Sequence, residues 1–256
     1  MRFRPCIDIH NGKVKQIVGG SLRDEGSRAE NNFISEKDAA WYASLYKERK
    51  LTGGHIILLN PASSEYYEQD LKQAEGALAA WPGGMMIGGG VNAGNALSFL
   101  RMGASHVIVT SWIFHDGVID LDRLREISAI TGKDHLVLDL SCRRQQNRYL
   151  VVTDRWQTFT SQPVTEDLLK SLAPYCSEFL IHAVDAEGKA AGIEQPLAQL
   201  LGSIDTLPVT YAGGIGSFED LRILKKLGKG RLDFTIGSAL DLFGGNIPFE
   251  EAASFS

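Results

Sequence analysis

Two aspartates, Asp8 and Asp139, each end a short apolar run, in Arg-Pro-Cys-Ile-Asp-Ile at residues 4–9 and His-Leu-Val-Leu-Asp-Leu at residues 135–140, and they stand about half of the 256-residue chain apart. Other pieces recur at a similar offset. Met86-Ile87-Gly88-Gly89-Gly90-Val91 is answered by Thr210-Tyr211-Ala212-Gly213-Gly214-Ile215, and Val109-Thr110-Ser111 by Ile236-Gly237-Ser238. Two carboxyl groups in one cavity can serve as general base and general acid when their surroundings separate their pKa values. A glycine turn between a strand and a helix exposes backbone N–H groups, and the helix dipole adds a favourable potential for phosphate. Gly89, Gly90, Thr110 and Ser111 are thus expected to hold one phosphate, and Gly213, Gly214, Gly237 and Ser238 a second. Taken singly, each aspartate could equally cap a turn, and each glycine pair could merely permit one. The recurrence argues for acid/base work between two anion sites.

Such a pair needs a frame that carries both acids to one mouth. Short apolar runs occupy Pro5–Ile9, His55–Asn60, Met85–Gly88, His106–Thr110, Leu136–Leu140, Phe179–Ala183, Pro208–Ala212 and Leu232–Ile236. Several are apolar throughout, as expected of parallel strands buried on both faces. Amphipathic segments lie between them. Ser35 is the expected N-cap of the first, with Asp38 at the capping-box position. Asp120–Thr131 stops at Gly132 and Ser217–Leu227 at Gly228, while the last helix, within Pro248–Ser256, is stunted. The fold class expected is α/β, a (β/α)8 TIM barrel with internal half-barrel duplication, the alternative being a doubly wound open sheet. In a barrel the strand carrying Asp8 and the strand carrying Asp139 face each other across the ring.

At 256 residues, 44% hydrophobic and 22% charged, the chain can bury a sizeable core, and no linker divides residues 1–256, so one domain is expected. A net charge of −5 argues against a general nucleic-acid binder. Cys6, Cys142 and Cys176 are odd in number and far apart, which argues against a disulfide framework or zinc site and for a reducing compartment. No signal peptide or bilayer-length apolar stretch is visible, so the cytoplasm is the expected location.

Two connections are unusually long, residues 17–34 and 143–163, the latter with a possible hairpin through Tyr149–Val152. Each follows a strand bearing one of the aspartates, which favours lids. Trp156, in the second, could stack on a planar substrate ring or anchor its loop. His55 and His182 read as structural strand histidines, and neither belongs to a metal-ligand constellation.

These residues together resemble a known family. Residues 6–20, Val-Ile-Val-Thr-Ser-Trp at 107–112, Asp-Leu-Ser-Cys-Arg at 139–143, Trp-Gln-Thr at 156–158, Phe-Leu-Ile-His-Ala at 179–183 and Tyr-Ala-Gly-Gly at 211–214 are similar to the ProFAR isomerases of histidine biosynthesis, most like the branch in fungi and plants. The resemblance implies an Amadori rearrangement of a bis-phosphorylated aminoaldose, with no cofactor and no metal. It implies Asp8 as general base, Asp139 as general acid, Trp156 as the stacking residue and the two glycine/hydroxyl pairs as phosphate sites. Asn92 stands where an arginine is common; His182, Ala183 and Glu187 stand where a threonine, an acid and an aspartate are usual.

The sister cyclase subunit of imidazole glycerol phosphate synthase shares the barrel, both aspartates and the phosphate sites, but works with a glutaminase. A non-catalytic phosphosugar-binding barrel would keep the glycine turns and need neither both acids nor both long loops. Acceptance of phosphoribosyl anthranilate stays open at this stage. The expected partner is a small bis-phosphate substrate, with no nucleic acid and no membrane, and the chain is expected to be a monomer.

Overall fold

Each of the eight apolar runs forms a parallel strand: β1 (Cys6–His10), β2 (Gly54–Leu58), β3 (Met85–Gly88), β4 (Val107–Val109), β5 (Leu136–Asp139), β6 (Glu178–His182), β7 (Val209–Ala212) and β8 (Leu232–Phe234). The computed structural model describes residues 1–17 and 31–255. The strands pair in chain order from β1 to β8. The ring then closes on itself: Arg4 N–H donates to the Phe234 carbonyl (2.7 Å), and Phe234 N–H donates to the Arg2 carbonyl (3.0 Å). Closure removes the open-sheet alternative and leaves a (β/α)8 barrel. The helices are α1 (Ala39–Glu48), α2 (Tyr67–Ala80), α3 (Ala96–Arg101), α4 (Leu121–Thr131), α5 (Glu166–Leu172), α6 (Gln195–Leu201), α7 (Phe218–Leu227) and α8 (Phe249–Ser254), one after each strand. No helix among the described residues is long and apolar enough to cross a membrane.

Caps set several boundaries. Asp120 and Ser217 cap α4 and α7 through their side chains. The α1 expectation needs correction: Asp38, not Ser35, is the N-cap, accepting from Trp41 N–H at 2.8 Å. Ser35 is buried and bonds Tyr42 Oη at 2.9 Å, so its hydroxyl serves the core.

Because successive strand residues point to opposite faces, every second residue enters the barrel and the interior is built in layers. Strand β6 shows the order: Glu178, Leu180, His182. The floor is polar. Arg4 binds Asp233 at 2.8 Å and Glu178 at 3.4 Å, and Thr210 Oγ1 donates to Glu178 at 2.7 Å. The middle is apolar, with Met86, Ile108, Val137, Leu180 and Ala212 packed with Ile57. The top layer opens into a cavity. The other faces of the same strands pack under the helices in the main core, so both sides are buried.

The two halves repeat at backbone level. Gly89 (φ +99°) and Gly213 (φ +104°) each press against the carbonyl of the strand before them, Leu58 and Ala183. A Cβ would lie 2.1 Å and 2.6 Å from those oxygens, so both turns require glycine for conformation and for space.

The long connections add small sheets. After β1, Asn11 (φ +52°) and Gly12 (φ +71°) form a two-residue turn into an antiparallel strand, Lys13–Ile17, which also pairs with Asn31–Ile34. Most of the expected first lid, residues 18–30, lies outside the described residues. The second connection is a three-stranded antiparallel sheet, Cys142–Gln145, Arg148–Thr153 and Thr158–Pro163. The expected hairpin through Tyr149–Val152 is present, with that segment in the central strand, and the chain reverses at Gln146 (φ +55°) and again at Asp154–Trp156.

The floor generates a stability prediction. Arg4, Glu178 and Asp233 side chains are all under 10% exposed. Arg4→Met would leave Glu178 without its cation and Asp233 with only the exposed Arg2, and unfolding in urea at neutral pH should lose about 3–5 kcal/mol.

Candidate active site

The register of the strands brings the predicted chemistry together. One cavity of about 520 Å³ at the C-terminal ends of the strands is lined by Asp8, Asp139, Trp156, Gly89, Gly90, Thr110, Ser111, Gly213 and Gly237. Gly214 and Ser238 line a small recess beside it, together with Glu187 and Gly188. The size suits a small-molecule ligand. Asp8 ends the inward ladder of β1 and Asp139 that of β5, the strand opposite. The glycine turns follow β3 and β7, also opposite each other, so the two axes cross over one bowl.

The two acids are held differently. Asp139 Oδ1 accepts from both the backbone N–H and the hydroxyl of Ser141, each at 2.7 Å, which fixes the carboxyl plane. Its Oδ2 accepts from the Thr110 hydroxyl at 3.1 Å, its one hydrogen bond among the described residues. A hydroxyl can donate to a carboxylate or accept from a carboxylic acid, so Oδ2 can carry or release a proton without losing its partner. Burial raises the Asp139 carboxyl, and the Ser141 and Thr110 bonds and His182 hold the rise back. Asp8 Oδ2 accepts from Gln16 Nε2 at 3.2 Å. Burial, with the negative charge of Glu187 adding to it, pushes Asp8 up to about 7. Both carboxyls are desolvated by burial, and His182 acts on both.

Some expected donors are engaged within the chain. Thr110 is tied to Asp139, and the Ser111 hydroxyl accepts from Asp154 N–H at 3.0 Å. The structure thus gives the hydroxyl pair after β4 the task of holding the site's own walls. The bonded Asp154 opens a turn in which Asp154, Arg155 and Trp156 all adopt positive φ (+52°, +56°, +67°), a costly conformation for side-chain-bearing residues. The turn drops Trp156 over the mouth, where it packs with Ile17, Ile57 and Leu59 and meets His182 edge to face at 4.9 Å. Asn92, where the resemblance implies an arginine, hydrogen-bonds its own turn: Gly94 N–H donates to it at 2.8 Å.

Four contributors escaped the sequence reading: Gln16, Ser141, Thr235 and the His182–Glu187 pair. Gln16 had a signal, because Asn11-Gly12 between apolar runs is a strong hairpin mark and a hairpin folds Gln16 back beside β1. Thr235 lines the cavity with a buried hydroxyl close to the Cys6 thiol. His182 was expected to be structural, yet its Nε2 bonds Glu187 Oε2 at 2.7 Å inside the cavity. Burial opposes its charged form, but Glu187, Asp139 and Asp8 outweigh that and raise its pKa. His55 behaves otherwise: burial depresses it to about 3, which keeps it neutral. The three cysteines are free and buried.

Known proteins are similar to the chain over nearly its whole length. A family profile described as "Histidine biosynthesis protein" matches residues 2–247. The chain is 48% identical to a chloroplastic 1-(5-phosphoribosyl)-5-((5-phosphoribosylamino)methylideneamino) imidazole-4-carboxamide isomerase of Medicago truncatula, over 100% of this chain and 81% of that one. It is 47% identical to the Neurospora crassa isomerase of the same name (95% and 93% covered) and 40% identical to that of Saccharomyces cerevisiae (100% and 98%).

A buried acid near neutrality has a cost that can be measured. The folded value for Asp8 of about 7 lies above the ordinary 3.8, so the folded state keeps a proton that the unfolded chain has released. Stability contributed by that proton is therefore present at low pH and lost as pH rises through about 7. Asp8→Asn should match the parent near pH 4 and exceed it at pH 8 by up to about 4 kcal/mol, read from urea melts at both pH values.

Proposed function

The chain belongs to the histidine biosynthesis protein family and is an isomerase of that pathway, and we propose that it converts the bis-phosphorylated aminoaldose ProFAR to its aminoketose by an Amadori rearrangement. The observation that carries the reading is the placement of Asp8 and Asp139 on opposite strands of one cavity, between glycine turns on the crossing axis.

In the proposed reaction the phosphates anchor at the turns after β3 and β7, and Trp156 stacks on the ring between them. Asp139 gives the proton on Oδ2 to the ribose ring oxygen as the C1–O bond breaks, leaving an open-chain iminium. Asp8 then takes the C2 proton, and the electron pair moves to C1–C2 to give the enaminol. Return of a proton to C1 with loss of the C2 hydroxyl proton yields the ketose. C2 is oxidised as C1 is reduced, so the redox change is internal and no external electron carrier takes part. A base whose pKa lies close to the working pH can both take and return protons. The three-point hold on Asp139 fixes its aim, and a Trp156 turn over the mouth would exclude water from the iminium.

A single barrel domain, acting as a monomer in the cytoplasm on a small bis-phosphate and on neither nucleic acid nor membrane, is the form in which we propose it works.

Two measurements test the reading. The purified chain should convert the aminoaldose with neither ammonia nor a second protein present. An absolute requirement for either would replace it with the cyclase reading. Asp8→Asn and Asp139→Asn should each lower kcat by at least about 100-fold while substrate affinity, measured by calorimetry, stays within a few-fold. Near-normal turnover by either variant would defeat the two-acid mechanism and favour a binding barrel.

A further inference from the structure

The cavity holds a second pair of charged side chains that the two-acid mechanism does not use. His182 is the uppermost inward residue of β6, two positions above Leu180, which pairs with Asp139 of β5. The chain then makes one tight turn, Val184–Ala186, with Ala186 N–H donating to the Ala183 carbonyl at 3.0 Å and Glu187 N–H to that of Val184 at 3.2 Å. That turn folds Glu187 back over the mouth, where its Oε2 meets His182 Nε2 at 2.7 Å. Both side chains are more than four-fifths buried.

The pair spans the bowl. Its Glu187 end lies against Gly237: a Cβ there would be 3.7 Å from Glu187 Oε1 and 2.2 Å from Gln16 Oε1. Gln16 is the residue that donates to Asp8. The His182 end sits on the Asp139 side and carries Trp156 on its ring edge. An anion thus stands on the Asp8 wall and a cation next to the Asp139 wall, joined to each other by one hydrogen bond.

We propose that His182 and Glu187 are a positioning pair that sets the charge balance between Asp8 and Asp139, resting on the isomerase mechanism above. Charges facing the pair are Asp8 from β1, Asp139 from β5 and the neutral His55 from β2; the Cys6 thiol of β1 also feels Glu187. Glu187 raises Asp8, and His182 lowers both Asp8 and Asp139, the Glu187 effect on Asp8 being the larger of the two. Removing one member should therefore move Asp8 in the opposite direction from removing the other. A role in packing alone has no such sign.

The test is the pH dependence of kcat/KM for His182→Gln, Glu187→Gln and the double variant, assayed with the aminoaldose. The acid limb reports ionisation of the base, Asp8. In His182→Gln the downward pull is gone, so the limb should move to higher pH by roughly one unit; in Glu187→Gln the push is gone, so it should move to lower pH. The double variant should return close to the parental position with kcat reduced about tenfold or more, and Glu187→Asp should restore part of the rate. KM should change less than kcat in all of them. Limbs that stay fixed, or that move together in the two single variants, would overturn the proposal. If His182→Gln fails to fold, His182→Asn read beside Glu187→Gln decides by the same signs. Asp8→Asn and Asp139→Asn run in parallel separate the outcomes: normal turnover there removes the two-acid mechanism itself, whereas loss of turnover there with unmoved limbs in the pair variants removes only the role of His182 and Glu187.

Discussion

Closure of the eighth strand onto the first is the constraint from which the rest follows. Two backbone hydrogen bonds between Arg2–Arg4 and Phe234 complete the ring, and the side chains beside them hold it from inside, because Arg4 binds Asp233 of β8 and Glu178 of β6. Once the ring is closed, the two-residue period of each strand becomes a vertical order. Charge is placed at the bottom, where the network satisfies it, and hydrocarbon in the middle. The top then receives whatever stands two residues beyond the apolar layer. Asp8, Thr110, Asp139 and His182 are in one cavity for that reason.

The cavity buries its two acids at an electrostatic cost. Asp8 is buried with one donor and a neighbouring carboxylate, while Asp139 is buried with three donors. The first is free to change protonation near neutrality; the second is held in orientation with one oxygen left to exchange a proton. The left-handed turn at Asp154–Trp156 adds conformational cost to put an aromatic ring over the mouth. Thr110 and Ser111 link these features, one bonding the acid and the other the turn.

The duplication has a physical basis in the turns. Gly89 and Gly213 take nearly the same backbone angle and touch equivalent carbonyls, so the halves repeat a packing solution as well as a sequence. The halves diverge where side chains are concerned. Thr110-Ser111 is absorbed into the walls, whereas Gly237, in the equivalent place, leaves room that Gln16 and Glu187 fill.

Much was legible in the chain alone. The eight strands, their burial on both faces, the helix stops at Gly132 and Gly228, and the convergence of Asp8, Asp139 and the glycine turns all follow from local periodicity and from strand count, since these depend on neighbours within a few residues or on the ring's symmetry. Ser35 was misplaced because a hydroxyl at a helix start fits a cap or a core contact equally well until Tyr42 is seen to meet it. The hairpin through Tyr149–Val152 was legible, but its third strand was not, because the turns at Gln146 and Asp154 carry no glycine or proline signal. The tertiary structure alone decided which partners each acid has. Gln16, Ser141, His182 and Glu187 act through distances of about 3 Å between atoms that different strands and loops deliver. Hydrogen bonds and burial of that kind depend on the fold's register, which no single segment encodes. The sequence determined that two acids face one cavity; the folded environment determined that they differ.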